Sequence, residues 1–314
     1  MKFLFISPRY SGGIGGHAEM LANQLEHAGH SVTKMKAPHI PIKNLKNPSF
    51  AIFGTMKGML NRENYDIVHA FNVPSAFAMR YAKGKKKVLS VHGMFSEQVN
   101  SLHSKTVSSI ATNTESKVLK WPNKLTTDSK YIQRLYKEKL DIDFEYLPSP
   151  LDVEKFSVIR DVKKIEKQVA YVGRDSHEKG IDILQKAESQ INGNVVYCTD
   201  LTWEDAMSVI KSSSVVVVPS RMESLPTTIK EAFYLNVPVV GANVGGIPEL
   251  ITDNETGLLV PPENPDKLAD RVNELLSNTK KAEKIADNGN DFVKKNMTWD
   301  IVLPKYIQFY ENLI

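Results

Sequence analysis

The stretch Val215-Val-Val-Val-Pro-Ser-Arg-Met-Glu-Ser-Leu-Pro-Thr-Thr-Ile-Lys-Glu231 decides how this chain is read. A short run of valines is β-branched throughout and bounded by turn residues, which predicts a strand over Ser214–Pro219 buried on both faces, as in a parallel sheet. A loop follows, and Pro226 with Thr227 and Thr228 opens a helix over Thr227–Leu235. Working outward, the same alternation recurs along the chain. Strands are expected at Lys2–Ser7, Ser31–Lys36, Asp66–Ala70, Lys87–Val91, Leu125–Asp128 and Phe144–Leu147. A second set is expected at Gln168–Val172, Asn194–Cys198, Pro238–Gly241 and Gly257–Val260. The clearest helices between them are His17–Ala28, Ser129–Lys139, Gly180–Gln190, Trp203–Lys211 and Pro265–Ser277, and the tail from Lys280 to Ile314 reads as two more. The fold class is α/β.

At about 100–200 residues per domain, 314 residues predict two domains. The prolines and charges of Pro148–Val162 place the hinge there, giving residues 1–150 and 151–314. A lone cysteine, Cys198, excludes a disulfide framework and a thiolate zinc cage, and favours a reducing compartment. No signal-peptide pattern opens the chain and no 18-residue apolar run occurs, so a cytoplasmic protein is expected. The net charge of +4 hides an asymmetry: residues 1–150 carry 21 Lys and Arg against 11 Asp and Glu, and residues 151–314 carry 19 against 25. The basic half suits an anionic partner, lipid headgroups as at the inner membrane face or nucleic acid, or it is a solvated lysine surface typified by the cluster Lys83, Lys85, Lys86 and Lys87.

Four loops after strands carry chemistry. Ser11-Gly-Gly-Ile-Gly-Gly16 follows the first strand, where glycines let backbone N–H groups approach a phosphate at a helix N-terminus. It imitates a dinucleotide fingerprint, which also requires an acidic residue about 20 positions on. No Asp or Glu lies between Glu26 and Glu63, so a dinucleotide cofactor is disfavoured. In Tyr171-Val-Gly-Arg-Asp-Ser-His-Glu-Lys-Gly180, the cations Arg174 and Lys179 surround a loop before a helix, a fork and a point charge suited to a diphosphate or to plain solvation. Glu223 and Glu231 could accept hydrogen bonds from sugar hydroxyls. Asn243-Val-Gly-Gly-Ile-Pro-Glu249 adds a close-approach loop to the same sheet edge. Asp141-Ile-Asp143, which imitates a metal-binding pair, reads as solvated surface.

With Gly12–Gly16, Val172–Gly180, Glu223–Glu231 and Gly245–Leu250 in this order and spacing, the chain resembles the family 4 glycosyltransferases, retaining enzymes of the GT-B fold. The resemblance implies two Rossmann-like domains facing across a cleft: an N-terminal acceptor-binding domain and a C-terminal nucleotide-sugar-binding domain, with the last helix crossing back to the first. It implies that Gly15 and Gly16 approach the donor diphosphate, that Arg174 and Lys179 neutralise it, and that Glu231 meets the nucleotide ribose. Glu223 falls to the transferred sugar, Ser224 is donor-binding, main-chain groups at Leu225 and Thr227 complete the phosphate cradle, and His92 stands near the reacting sugar. Leu225-Pro226 departs from the family pattern, in which glycine is common, as does Leu147-Pro-Ser-Pro-Leu-Asp152 at the hinge.

The implied activity is transfer of a hexose from a UDP- or GDP-sugar to a hydroxyl acceptor, a glycan, a lipid-linked molecule or a small molecule. No metal and no cofactor are expected. Nucleic acid is not among the expected partners, and peripheral association with a membrane surface through the basic first domain is. A nucleotide-sugar epimerase or a non-catalytic sugar-nucleotide-binding protein are the competing readings, and release of free nucleotide separates them.

Overall fold

The computed structural model describes residues 1–8, 13–37, 46–93 and 105–314. Ser11 and Gly12 of the first glycine loop lie outside the described residues. Two compact units result: Met1–Ser149 with Val302–Ile314, and Pro150–Ile301.

In the first unit, β1 (Lys2–Ile6), β2 (Ser31–Met35), β3 (Tyr65–Phe71), β4 (Gly84–Ser90), β5 (Lys124–Thr127) and β6 (Glu145–Tyr146) form one sheet in the order β2-β1-β3-β4-β5-β6. Every pairing is parallel. The described helices are α1 (Gly13–His27), α2 (Lys46–Leu60), α3 (Val73–Tyr81), α4 (Lys105–Val118) and α5 (Lys130–Leu140). In the second unit, β7 (Gln168–Val172), β8 (Asn194–Cys198), β9 (Val215–Val218), β10 (Val239–Ala242) and β11 (Leu258–Val260) pair in the order β11-β10-β9-β7-β8, again all parallel. Its helices are α6 (Ile181–Ala187), α7 (Trp203–Ser212), α8 (Thr227–Tyr234), α9 (Ile247–Leu250), α10 (Pro265–Ser277) and α11 (Thr279–Asn296). The last helix, α12 (Trp299–Glu311), is divided, its first three residues counting with the second unit and the rest with the first.

Counted from the first strand of each, the first sheet runs 2-1-3-4-5-6 and the second 2-1-3-4-5, so in both the strand order reverses beside the first strand. In such sheets the crevice beyond the carboxyl ends at the reversal is where ligands bind. In the second unit that point lies between β7 and β9. The valine strand explains why the sheet is covered on both faces: Val216 and Val218 join one core cluster with Ile229, Phe233 and Ile247, while Val215 and Val217 join another with Leu184, Leu268 and Val272.

Two expectations are corrected. The helix expected from His17 starts at Gly13, so Gly15 and Gly16 occupy its first turn rather than a free loop. The strand expected from Lys87 starts at Gly84, and Lys85, Lys86 and Lys87 lie on it. The register gives the reason. β4 pairs with β3 from Gly84 to Ser90 but with β5 only from Val88, so the lysine segment lies at the rim of the sheet, where Lys85 pairs with Asp66 at 2.7 Å and the Lys87 ammonium donates to the Arg80 carbonyl oxygen at 2.5 Å. Asp141 ends α5 in the left-handed conformation, and Lys137 reaches both Asp141 (2.8 Å) and Asp143 (3.1 Å).

Candidate functional site

The loops after β7, β9 and β10 lie side by side at one sheet edge and interlock through two glycines. Gly180 has φ +67° and a Cβ there would lie 2.1 Å from the Pro219 carbonyl oxygen. Gly245 has φ +55° and its Cβ would lie 1.9 Å from the Glu223 carbonyl oxygen. No other residue allows that approach, since a side chain would meet both the left-handed penalty and a backbone collision. Backbone bonds complete the interlock: Arg221 N–H donates to Glu178 O (2.9 Å) and Gly246 N–H to Glu223 O (3.1 Å).

The interlock joins two of the residues singled out in the sequence. Lys179 Nζ lies 2.7 Å from Glu223 Oε1, and Ser220 Oγ donates to the same oxygen at 2.9 Å. The Glu223 side chain is one-tenth exposed and that of Lys179 about one-quarter, so the pair is partly desolvated and its attraction is stronger than that of a surface pair. Arg174 is not part of this contact. It pairs with Glu178, four residues on, and its side chain is 72% exposed, so a bound anion can recruit it by displacing a surface carboxylate. The Tyr171 hydroxyl donates to Arg174 O at 2.8 Å and fixes the loop backbone beneath that arginine. Burial raises the Tyr171 phenol to about 12, which keeps it a neutral donor.

Glu231 stands apart from Glu223. Its Oε1 accepts a hydrogen bond from the Trp203 indole at 2.9 Å. Burial raises its carboxyl above the ordinary carboxylate range, while the indole bond and the nearby Lys230 and Lys155 act in the opposite direction. Phe156 packs edge-on against Trp203 at 5.1 Å between centroids, and Lys155 lies over its ring. Between the two glutamates, Leu225 is buried and the N-terminus of α8 has no side-chain cap. Its first N–H groups, beginning at Thr227, are therefore open to an anion. The Ser224 hydroxyl oxygen is buried and has no hydrogen-bond partner among the described residues.

Sequence reasoning missed the residue that holds this edge together. Arg221 forks onto Asp182 (2.6 and 2.8 Å), reaches Glu263 (2.8 Å) and donates to His177 O (2.8 Å). It thereby ties the loop carrying Glu223 to the loop carrying Lys179. The available signal was an arginine and an aspartate each within three positions of a singled-out residue. The Arg221 guanidinium holds the Asp182 carboxyl well below the ordinary range. A depressed carboxylate stabilises the fold above its unfolded value near about 4, and that stability is lost as the pH falls through the folded value. Asp182→Asn is therefore expected to melt lower than wild type at neutral pH, with the difference shrinking as the pH drops below about 4. A difference in melting temperature that stays constant down to strong acid would remove Asp182 from this role.

In the first unit, His92 follows β4 and Asp128 follows β5. His92 Nδ1 lies 3.0 Å from Asp128 Oδ2, and Nε2 is buried without a hydrogen-bond partner among the described residues. The carboxylate orients the ring so that Nε2 is the nitrogen left for a ligand. His17, on α1, lies edge-on to His92 with centroids 5.7 Å apart, and contacts Tyr306 OH (3.0 Å) and Ser149 Oγ (3.2 Å). Deeper in the sheet, His69 bridges Tyr310 OH (2.7 Å) and Ser90 Oγ (2.6 Å). Burial holds the His69 imidazole well below the ordinary histidine range, with His17 and His92 adding to the effect. Neither His17 nor His69 was singled out in the sequence, although His17 directly follows the glycine loop. Among the described residues no group of three His, Cys, Asp or Glu side chains could hold a metal ion.

The chain is similar in sequence and in fold to known glycosyltransferases. Residues 11–155 match the model of glycosyltransferase family 4, and residues 187–292 match that of the glycosyl transferases group 1. An uncharacterized glycosyltransferase of Methanocaldococcus jannaschii is 24% identical over 97% of this chain and 95% of its own length. The D-inositol 3-phosphate glycosyltransferase of Mycobacteroides abscessus is 30% identical over 35% of this chain and 32% of its own. Among solved structures, sucrose-phosphate synthase from Thermosynechococcus elongatus superposes with a TM-score of 0.82 at 18% identity, covering 100% of this chain and 99% of the other. Anabaena HepE in complex with UDP-glucose superposes at 0.75 and 16% identity, covering 99% of this chain and 100% of the other. Two parallel sheets of this order, carrying these loops, define a glycosyltransferase of the GT-B fold. The chain is a glycosyltransferase whose first part matches the family 4 model.

Proposed function

We propose that this enzyme transfers a hexose from a UDP- or GDP-sugar to a hydroxyl acceptor, with retention of anomeric configuration and without a metal ion. The observation that carries the reading is the Lys179–Glu223 pair at 2.7 Å, set at the reversal point of the second sheet where both glycines force the loops together. A carboxylate and an ammonium held this way suit a molecule that is hydroxyl-rich at one end and anionic at the other. Among fold neighbours, HepE has been seen with UDP-glucose and with UDP and glucose, which supports a UDP-hexose as the first donor to try.

In this reading the Lys179 ammonium and the Arg174 guanidinium receive the leaving diphosphate, and the uncapped N–H groups at the start of α8 add donors that need no reorganisation. Glu223 accepts from a sugar hydroxyl while Lys179 keeps it ionised, and Ser224 offers a further donor. Glu231 is oriented by Trp203 through one oxygen, leaving the other for the ribose hydroxyls. His92 is assigned to the transferred sugar through Nε2.

The bond between the anomeric carbon and the diphosphate oxygen breaks as the acceptor oxygen bonds to the same face of that carbon. The departing diphosphate oxygen takes the acceptor proton, so the products are the glycoside and the nucleoside diphosphate.

Incubation with UDP- and GDP-hexoses is expected to raise the melting temperature for the true donor, because a ligand that binds only the folded state stabilises it. Slow release of free UDP or GDP should accompany binding, which an epimerase or a non-catalytic binder would not produce. EDTA should leave the rate largely intact. Binding of no nucleotide sugar, a strict requirement for Mn²⁺, or an inverted product by NMR would each overturn the corresponding part of the assignment.

A further inference from the structure

We infer that Asp128 is a positioning residue that fixes His92 in its Nδ1–H tautomer, so that Nε2 meets the transferred sugar as a hydrogen-bond acceptor and reads a hydroxyl proton; the sugar contact rests on the donor assignment made above for His92. The pair is set up by the ends of two neighbouring strands. β4 and β5 are in register at Ser90 and Thr126, whose hydroxyl oxygens lie 2.6 Å apart, and the Val91 N–H donates to the Thr126 carbonyl oxygen at 2.8 Å. Side chains two positions apart on a strand share a face, so the next residues on the side of Ser90 and Thr126 are His92 and Asp128. They meet at 3.0 Å between Nδ1 and Oδ2, with side chains only 8% and 10% exposed. Below them His69 Nε2 lies 2.6 Å from the Ser90 hydroxyl oxygen and anchors the end of β4 on the same face.

An ionised carboxylate accepts hydrogen bonds and donates none. The proton between Asp128 and His92 therefore sits on Nδ1, and in a neutral ring that leaves Nε2 with a lone pair and no hydrogen. A flip that exchanged the two nitrogens would break the Asp128 contact and sweep the ring against His17. That residue stands edge-on to His92 with centroids 5.7 Å apart, and is itself held by Tyr306 OH at 3.0 Å and Ser149 Oγ at 3.2 Å. Nε2 is buried and has no hydrogen-bond partner among the described residues. An unpaired buried acceptor is costly, and a sugar hydroxyl is the kind of group that satisfies it. The opposite tautomer would offer an N–H and suit a ligand oxygen that only accepts, such as one of a phosphate. Asp128 also directly precedes Ser129, the N-cap of α5, where a carboxylate favours the helix dipole; that role alone predicts a loss of stability and no change in the ring.

Long-range proton–nitrogen NMR spectra of the full chain labelled at histidine, recorded at about pH 8, read the tautomer directly, with the His92 signals identified by their absence in His92→Gln. Wild type should carry its single His92 ring proton on Nδ1, and Asp128→Ala should move the ring toward Nε2–H. Calorimetric binding of UDP-glucose, and of analogues with fluorine in place of each sugar hydroxyl in turn, reads the consequence, because fluorine cannot donate a hydrogen bond. At one position wild type should bind the fluoro analogue at least about 10-fold more weakly than UDP-glucose, and in Asp128→Ala that ratio should shrink to about 2-fold or less. A carboxylate serving only α5 would, when removed, weaken every ligand alike and leave the ratio unchanged. Nε2–H or a doubly protonated ring in wild type, an unchanged tautomer in Asp128→Ala, the absence of any fluorine-sensitive position in a wild type that binds UDP-glucose, or a ratio that survives the substitution would each overturn the inference. The wild-type spectrum needs no change at Asp128, so it decides the tautomer even where Asp128→Ala fails to fold. Failure of wild type to bind UDP-glucose would count against the donor assignment, and the spectra would still decide for or against Asp128 as the residue that positions the ring.

Discussion

Replacing Lys179 by alanine lowers the rate of glycosyl transfer at least about 100-fold, the loss expected for one preorganised donor to a developing anion, while circular dichroism remains that of a folded protein. The difficulty is that Lys179 also pairs with Glu223, so a loss of activity could come from a misplaced carboxylate. A double-mutant cycle separates the two. If Lys179 acts only by holding Glu223, then Glu223→Gln with Lys179→Ala transfers as fast as Glu223→Gln alone. If Lys179 receives the leaving diphosphate, the double variant is slower again, and the added loss appears in kcat rather than KM because the charge develops in the transition state. Arg174→Ala should also lose about 100-fold, but with little change in stability, because the guanidinium it removes is mostly exposed and paired only with Glu178. Wild-type rates in Lys179→Ala would end the assignment.

Gly245→Ala should destabilise the second unit by about 3 kcal/mol, combining about 1–2 kcal/mol for a side chain in the left-handed region with about 1–3 kcal/mol for overpacking. The new Cβ would stand 1.9 Å from the Glu223 carbonyl oxygen, so one of the two loops must retreat. For a unit of this size the melting temperature should fall by roughly 6–12 °C. Retreat also displaces Glu223 from Lys179, so donor turnover should fall together with stability, even at temperatures where the variant is fully folded. Melting at the wild-type temperature would show that the loops do not meet as described. A stability loss with unchanged turnover would show that the interlock supports the fold without positioning Glu223.

The parts of the molecule legible in the sequence were those that depend on local pattern. β7, β8 and α10 have the bounds the sequence predicted, because an apolar run between turn residues, or a capped helix with Pro265 in its first turn, needs no distant partner to be recognised. The loops carrying Gly180 and Gly245 were legible for a similar reason, since glycines beyond a strand end can mark a close approach of backbone to backbone. What the sequence left unread was pairing across the chain. Nothing local says that Arg221 will fork onto Asp182, 39 positions away, or that Trp203 will orient Glu231. Lys85, Lys86 and Lys87 read as a surface cluster because lysines are rare in parallel strands, and only the register against a shorter β5 shows how β4 accommodates them. The region of α2 escaped periodicity, since its packed face mixes Phe50 with Gly54 and Gly58 while Ile52, Met56, Met59 and Leu60 are exposed.

The first sheet takes its last buried partner from the far end of the chain. Tyr310, fully buried, hydrogen bonds to His69 across 241 positions and lies edge-on to Phe3 at 4.9 Å between centroids. During synthesis the first unit's strands leave the ribosome long before Tyr306 and Tyr310 exist, so the tyrosine partners of His17 and His69 are missing while the second unit is made. The usual vectorial order, in which the N-terminal domain matures first, is thereby inverted for the final step: the later unit can complete its core while the earlier one is still open. Premature termination a dozen residues short would therefore injure the half of the enzyme that was translated first.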